Sequence, residues 1–273
     1  MKNLEPVRLA LGTARATVAR IAGRRPPIAP DRTSDACAID DVALNPALDR
    51  TQLAETFQRQ GRIQVRDVLT EAAARRLLQA LEQEIPWGLI FNTDKGTAEV
   101  KSVSDEKHQQ IILAAWKRAH TRFQYVHHHY RLSERDKIYP APDHYLGRLI
   151  AFLRSPVMLE FVRQVTGMPV QGLQSATATL FKPLHFLTAH DDQDMDSRRL
   201  VAFALNLTPE WRPDWGGALQ FYDRNDHIEE GYLPLFNALN LFRVPKLHSV
   251  SQVSSFGGLR YSVVGWFETG APA

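Results

Sequence analysis

Between residues 48 and 165 the apolar positions recur mostly at helical spacing, and from about residue 170 they alternate in short runs. Leu48 to Phe57 reads as a short amphipathic helix. Arg62-Ile63-Gln64-Val65-Arg66-Asp67-Val68 then alternates polar and apolar residues, as a half-buried strand does. Thr70 is placed to cap a following helix, with Glu71 in its first turn and Leu77, Leu78 and Leu81 along its apolar stripe. Further helices are predicted over Asp105 to Ala119, Asp143 to Leu153 and Pro156 to Val165; a proline opens the last and Gly167 closes it.

The second half is built differently. Gly172–Phe181, Phe186–His190, Leu200–Leu207, Ala218–Tyr222, Ala238–Arg243, His248–Val253 and Leu259–Phe267 are short and rich in β-branched and aromatic residues, with Gly, Pro, Asp and Asn between them. Strands at this spacing predict an all-β sandwich or barrel with the earlier helices packed on one face, mainly β with supporting helices. There is no internal repeat. Arg24-Arg25-Pro26-Pro27 and Pro30 read as a stiff linker. It separates an extension, residues 1–33, from a single domain over 34–273. That domain divides into helical and mixed support (34–169) and a strand core (170–268).

Composition alters this picture in one place. The chain of 273 residues is 44% hydrophobic and 23% charged, ordinary for a globular protein. Its formal charge of +3 is uneven: residues 1–33 carry seven basic and two acidic groups, a net of +5, which leaves −2 for the rest. The domain itself therefore offers no basic face for nucleic acid. No apolar run approaches a membrane span, and Arg15 and Arg20 interrupt any signal-peptide core. The extension reads first as poorly ordered chain, with a transit peptide or a membrane-surface helix as the alternatives. A single cysteine, Cys37, excludes an internal disulfide framework and fits a reducing compartment, the cytoplasm.

The chemistry is concentrated among the strands. In Thr188-Ala189-His190-Asp191-Asp192, strand alternation puts His190 and Asp192 on one face and Asp191 on the other. His248, 56 residues after Asp192, is the natural third ligand at the start of another strand. Two imidazoles and one carboxylate on one side of an ion leave the opposite positions open, the facial triad of non-haem iron(II) oxygenases. A carboxylate at 192 also argues against halogenation, which needs that position for halide. Twelve residues after His248, Arg260 shares a strand face with Ser262. A guanidinium clamps a carboxylate in two places, and a serine hydroxyl adds one more bond. Such a pair suits a cosubstrate that meets the metal at one end and carries a free carboxylate at the other, as 2-oxoglutarate does.

Three longer runs carry a resemblance. His190-Asp191-Asp192, then Arg198-Arg199-Leu200-Val201-Ala202-Phe203, then Trp215-Gly216-Gly217-Ala218-Leu219-Gln220-Phe221-Tyr222 resemble the prolyl-4-hydroxylase-like branch of the 2-oxoglutarate oxygenases. Phe236-Asn237, Pro245, His248-Ser249-Val250 and Arg260-Tyr261-Ser262 with Gly265-Trp266-Phe267 are similar too, closest to the ribosomal prolyl hydroxylases and their bacterial relatives. The resemblance implies a double-stranded β-helix (a cupin-like jelly roll) and an Fe(II)- and 2-oxoglutarate-dependent hydroxylase. It implies His190, Asp192 and His248 as iron ligands, Arg260 as the 2-oxoglutarate clamp, O₂ as oxidant and ascorbate as a candidate reductant. Its expected substrate is a prolyl or other peptidyl residue; a free amino acid or small metabolite, or a jelly-roll binding or sensing module without turnover, are the alternatives. Where these relatives often place a tyrosine against the cosubstrate, nine residues before the first ligand, this chain has Phe181.

Other features point elsewhere. Asp192, Asp194 and Asp196 imitate a calcium loop, but Ser197 replaces its glycine and Phe203 its glutamate; Asp194 and Asp196 read as a solvated loop over the site. His127-His128-His129 reads as strand, with His128 facing away from its neighbours, so the three cannot converge on one ion. His227, the rival third ligand, lies in a polar turn with no arginine following it on a strand. Gly216-Gly217 precedes a strand rather than a helix and is no phosphate cradle, and Trp211 and Trp215 beside it read as packing.

Overall fold

The computed structural model describes residues 41–193 and 198–270. The 1–33 extension, its linker, Cys37, Asp194 and Asp196 lie outside the described residues. In chain order the elements are α1 (Arg50–Gln60), β1 (Arg62–Val65), α2 (Glu71–Gln83), β2 (Gly88–Thr93), β3 (Gly96–Val100), α3 (Asp105–Ala119), β4 (Tyr125–Glu134), β5 (Lys137–Ile138), α4 (Tyr145–Leu153) and α5 (Pro156–Thr166). They continue with β6 (Gly172–Phe181), β7 (Phe186–His190), β8 (Arg199–Asn206), β9 (Leu219–Tyr222), β10 (Ile228–Tyr232), β11 (Ala238–Arg243), β12 (His248–Val250) and β13 (Arg260–Glu268).

Local chemistry sets the boundaries. The first helix begins at Arg50 because the Asp49 carboxylate accepts the Gln52 N–H, and it ends where Gly61 turns left-handed at φ 67°. The strand after it stops at Val65, short of the predicted Val68, because Asp67 takes φ 49°. Ser104 and Ser155 cap α3 and α5, Pro156 occupies the first turn of α5, and Gly167 closes it. Four strands escape the sequence pattern: β2, β3, the two-residue β5 and β10. β2 and β3 form a hairpin, and β10 pairs only with β9. β3 and β10 are largely exposed, so no buried face forces apolar residues onto alternate positions.

All strand pairs are antiparallel and run β1-β11-β8-β13-β6-β4-β7-β12-β9-β10, with β2, β3 and β5 branching at β4. The result is the nearly closed jelly roll expected from the strand spacing. Alternation along β6, β8 and β13 then divides labour. Ala176, Ala178, Leu180, Val201, Leu205, Tyr261 and Val263 face the main core, where Leu77 and Leu81 of α2, Leu146 and Ile150 of α4 and Phe161 of α5 cover them. Thr177, Thr179, Phe181, Ala202, Ala204, Arg260, Val264 and Trp266 face the other way, into a cavity of about 530 Å³. One side of the sheet is thus fixed by helices while the other is left to line a site.

Candidate metal and cosubstrate site

His190 closes β7 and His248 opens β12, and the two are cross-strand partners in register. Their rings lie 4.1 Å apart, centroid to centroid. Asp192 reaches them differently from the sequence expectation. It lies past the end of β7 with φ 62°, so a left-handed turn, not strand alternation, swings its carboxylate back. Aspartate tolerates that conformation better than most side chains. Asp192 Oδ1 then stands 3.3 Å from His190 Nε2, and Oδ2 stands 3.5 Å from His248 Nε2. Within the three residues, one donor atom from each lies within 4.8 Å of the others.

The outer ring nitrogens decide which lone pairs are free. His190 Nδ1 is 3.0 Å from the Thr188 carbonyl and His248 Nδ1 is 2.7 Å from the Lys246 carbonyl. A carbonyl can only accept, so each Nδ1 carries a proton and each Nε2 is the nitrogen turned to the centre, where a metal would take its lone pair. Burial pushes His248 down from its usual range despite the opposing charge of Asp192. Burial alone would raise Asp192; the hydrogen bond from His190 and the charges of His248 and His190 outweigh it and hold the carboxyl below its usual range. Two imidazoles and a carboxylate thus converge, with both Nδ1 protons committed outward. Arg199, which sequence reading noticed only within a longer run, holds the strained turn: its Nη1 donates to the Asp192 carbonyl at 3.1 Å, its Nε donates to Gln174, and its guanidinium lies 3.8 Å over Trp266.

Arg260 lines the same cavity and is 3% exposed. Its Nε has no hydrogen-bond partner, and among the described residues no carboxylate pairs with it. Burial pushes the guanidinium down to about 10, still well above neutrality, so a full positive charge is held in the buried wall of the cavity. Phe181, its register partner on β6, lays its ring 5.0 Å beneath the guanidinium. His127 stacks on the far side of Phe181 at 4.8 Å. His127 Nδ1 donates to the His128 carbonyl and burial lowers its pKa to about 4, so it is neutral. His129 also lines the cavity, with Nε2 3.2 Å from the Glu99 carboxylate. His128 faces the opposite side, as alternation requires.

Ser262 does not join them. It is fully buried, its hydroxyl donates to Asn206 Oδ1 at 3.0 Å, and it does not line the cavity. The sequence expectation of a second cosubstrate contact gives way to a strand-to-strand tie, since Asn206 on β8 also donates to the Ala204 and Ala238 carbonyls. Ser262→Ala is therefore expected to cost about 1 kcal/mol of stability by orphaning Asn206 Oδ1, with 2-oxoglutarate affinity unchanged. Thermal melts beside a binding titration would separate the two effects. His227 is exposed and outside the cluster. Trp211 donates to the Gly216 carbonyl and packs edge-on against Trp215 at 5.3 Å, away from the cavity lining.

Residues 176–268, which contain the triad and Arg260, match the 2OG-Fe(II) oxygenase superfamily. They form a 2OG-Fe(II) oxygenase domain. This chain is similar in sequence to Prolyl 3-hydroxylase OGFOD1 of Mus musculus, 31% identical over 128 residues, which is 43% of this chain and 23% of the relative. The alignment thus spans less than a quarter of that protein's length. In fold, the chain is similar to a Pseudomonas putida prolyl-4-hydroxylase, with a TM-score of 0.56, 18% identity and coverage of 81% of this chain and 99% of the other. It is also similar to an oxidoreductase of the 2OG-Fe(II) oxygenase family from Burkholderia pseudomallei, with a TM-score of 0.58, 12% identity and coverage of 86% and 98%. These likenesses bear out the jelly roll and the family resemblance read from the sequence. The oxygenase domain's own side chains fit the two groups in the family's description: a two-histidine, one-carboxylate donor set suits Fe(II), and an unpartnered buried guanidinium suits a carboxylate. Among the described residues no helix is long and apolar enough to cross a membrane.

Proposed function

We propose that this chain is an Fe(II)- and 2-oxoglutarate-dependent dioxygenase that hydroxylates a C–H bond of a prolyl or other peptidyl residue, with succinate and CO₂ as coproducts. The observation that carries the reading is Arg260, a fully buried cation without an anionic partner in the cavity that also holds His190, Asp192 and His248. Burying a charge unpaired is costly, and a fold keeps one where a ligand completes it. When bound, Fe(II) with 2-oxoglutarate and O₂ supplies the oxidative decarboxylation that drives hydroxylation.

The chain supplies the positioning. His190, Asp192 and His248 hold the metal, with the Thr188 and Lys246 carbonyls fixing both ring tautomers. Arg260 pairs with the distal carboxylate of the cosubstrate. Phe181 presents a ring face to that guanidinium where relatives often have a hydroxyl, so Arg260 carries more of the recognition here. Arg199 keeps Asp192 in its strained turn from behind. Phe123 and Tyr125 reach the same cavity at the exposed end of β4, where a peptide side chain would enter. The peptidyl substrate class rests on the similarity to a prolyl 3-hydroxylase, and a cytoplasmic setting rests on the single cysteine.

The test is succinate release from 2-oxoglutarate in the presence of Fe(II), ascorbate and O₂, read against proline-containing peptides and against free amino acids. Peptide-dependent succinate with a matching +16 Da product is expected. Turnover stimulated only by a free amino acid would move the substrate class, and no succinate under any condition would leave a binding module.

A further inference from the structure

A second cluster of metal-ligating side chains lies outside the oxygenase cavity. His108 projects from the first turns of α3, His128 from the face of β4 turned away from that cavity, and His185 from the turn leading into β7. One ring nitrogen from each lies within 4.8 Å of the others. His108 Nε2 and His185 Nε2 are 2.8 Å apart; the rings of His128 and His185 stack at 5.3 Å, and His108 meets His128 edge-on at 5.5 Å. His185 and His128 are buried and His108 is half-buried.

Packing alone does not account for this group. Three neutral imidazoles bring six ring nitrogens together, and His128 Nδ1 is buried without a hydrogen-bond partner. Burial holds all three below their usual range, so each keeps a lone pair at neutral pH. The charged groups that reach them are Lys182, which opposes a cation, and Asp105 at the start of α3, which favours one. Three converging imidazoles match the nitrogen donor set preferred by zinc-class divalent cations.

We propose that His108, His128 and His185 form a second divalent-cation site, of the class that takes Zn²⁺, tying α3 to β4 and to the turn before β7. The tie would be useful, because α3 is held by a small separate core in which Ile111, Ile112 and Ala115 pack on Leu89, Val126 and Phe186. The Lys182 N–H donates to His185 Nδ1 at 3.1 Å, so in the metal-free chain His185 Nε2 carries the proton shared with His108. A cation bound at Nε2 takes that lone pair once the ring proton has moved to Nδ1, where the Lys182 N–H gives up its bond, and no net proton leaves the neutral cluster.

The experiment uses the full chain carrying His190→Ala and Asp192→Ala, which disable the first site, stripped of metal and titrated with Zn²⁺ alone. One equivalent is expected to bind with a rise in Tm. Adding His108→Ala, a substitution a helix accepts, is expected to weaken that binding by more than about 100-fold. X-ray absorption of the zinc-loaded double variant, which needs no change in the cluster, is expected to show imidazole nitrogen ligands. No bound equivalent, an equivalent that survives His108→Ala, or an oxygen-only shell would each overturn the proposal and leave a hydrogen-bonded histidine core.

Discussion

Asp192→Ala is expected to abolish 2-oxoglutarate turnover and to weaken Fe(II) binding by more than about 100-fold, while the metal-free protein melts no lower than a loop substitution would allow. Asp192 is the only anion among the three donors, so its loss leaves two neutral imidazoles facing a dication. In the metal-free chain desolvation opposes the attraction of His190 and His248 for its carboxylate, and the attraction prevails only in part, so its removal costs a modest share of stability. The left-handed φ of 62° adds a cost of roughly 1 kcal/mol for alanine. Asp192→Asn, which tolerates that conformation, isolates the charge: it should keep Tm and still lose turnover. Binding by equilibrium dialysis and melts on the same samples check both halves. A large fall in metal-free Tm with Fe(II) affinity intact would mark Asp192 as structural.

Arg260→Leu is expected to raise the KM for 2-oxoglutarate by about 10² to 10³-fold, because truncating one partner of a buried charge pair costs roughly 3–4 kcal/mol. Fe(II) affinity in the absence of cosubstrate should not change. The sign of the stability effect is the distinctive part. Arg260 is buried without an anionic partner, so leucine should raise the Tm of the cosubstrate-free protein while abolishing the further rise that 2-oxoglutarate gives the wild type. Arg260→Lys keeps a charge but not the planar fork, and should restore only part of the affinity.

Much of this site could be read from spacing. His190, His248 and Arg260 each sit at a strand terminus, and strand termini were visible in the change to period-two alternation and its bounding turns. The helices over Asp105–Ala119 and from Pro156 were legible because serine, proline, acidic first turns and glycine mark ends chemically. Asp192 was found for an incomplete reason: alternation put it beside His190, whereas a positive φ beyond the strand delivers it, and backbone handedness leaves no mark on an aspartate. Ser262 misled because alternation gives a face but not a partner; Asn206, 56 residues away in sequence, claims its hydroxyl. Exposed β3 and β10 left no pattern at all. Arg199 and the histidine cluster depend on contacts across strands and between a helix and a turn, which only the assembled sheet brings together.

The triad and Arg260 line one cavity, where they are expected to serve one metal and one cosubstrate. Anaerobic visible absorption of the metal-free protein, titrated with Fe(II) and then 2-oxoglutarate beside Arg260→Leu, tests it without knowledge of the substrate. The expected result is a charge-transfer band that needs both additions in the wild type and demands far more 2-oxoglutarate in the variant. Absence of the band with Fe(II) unbound, or a band indifferent to Arg260→Leu, would contradict it.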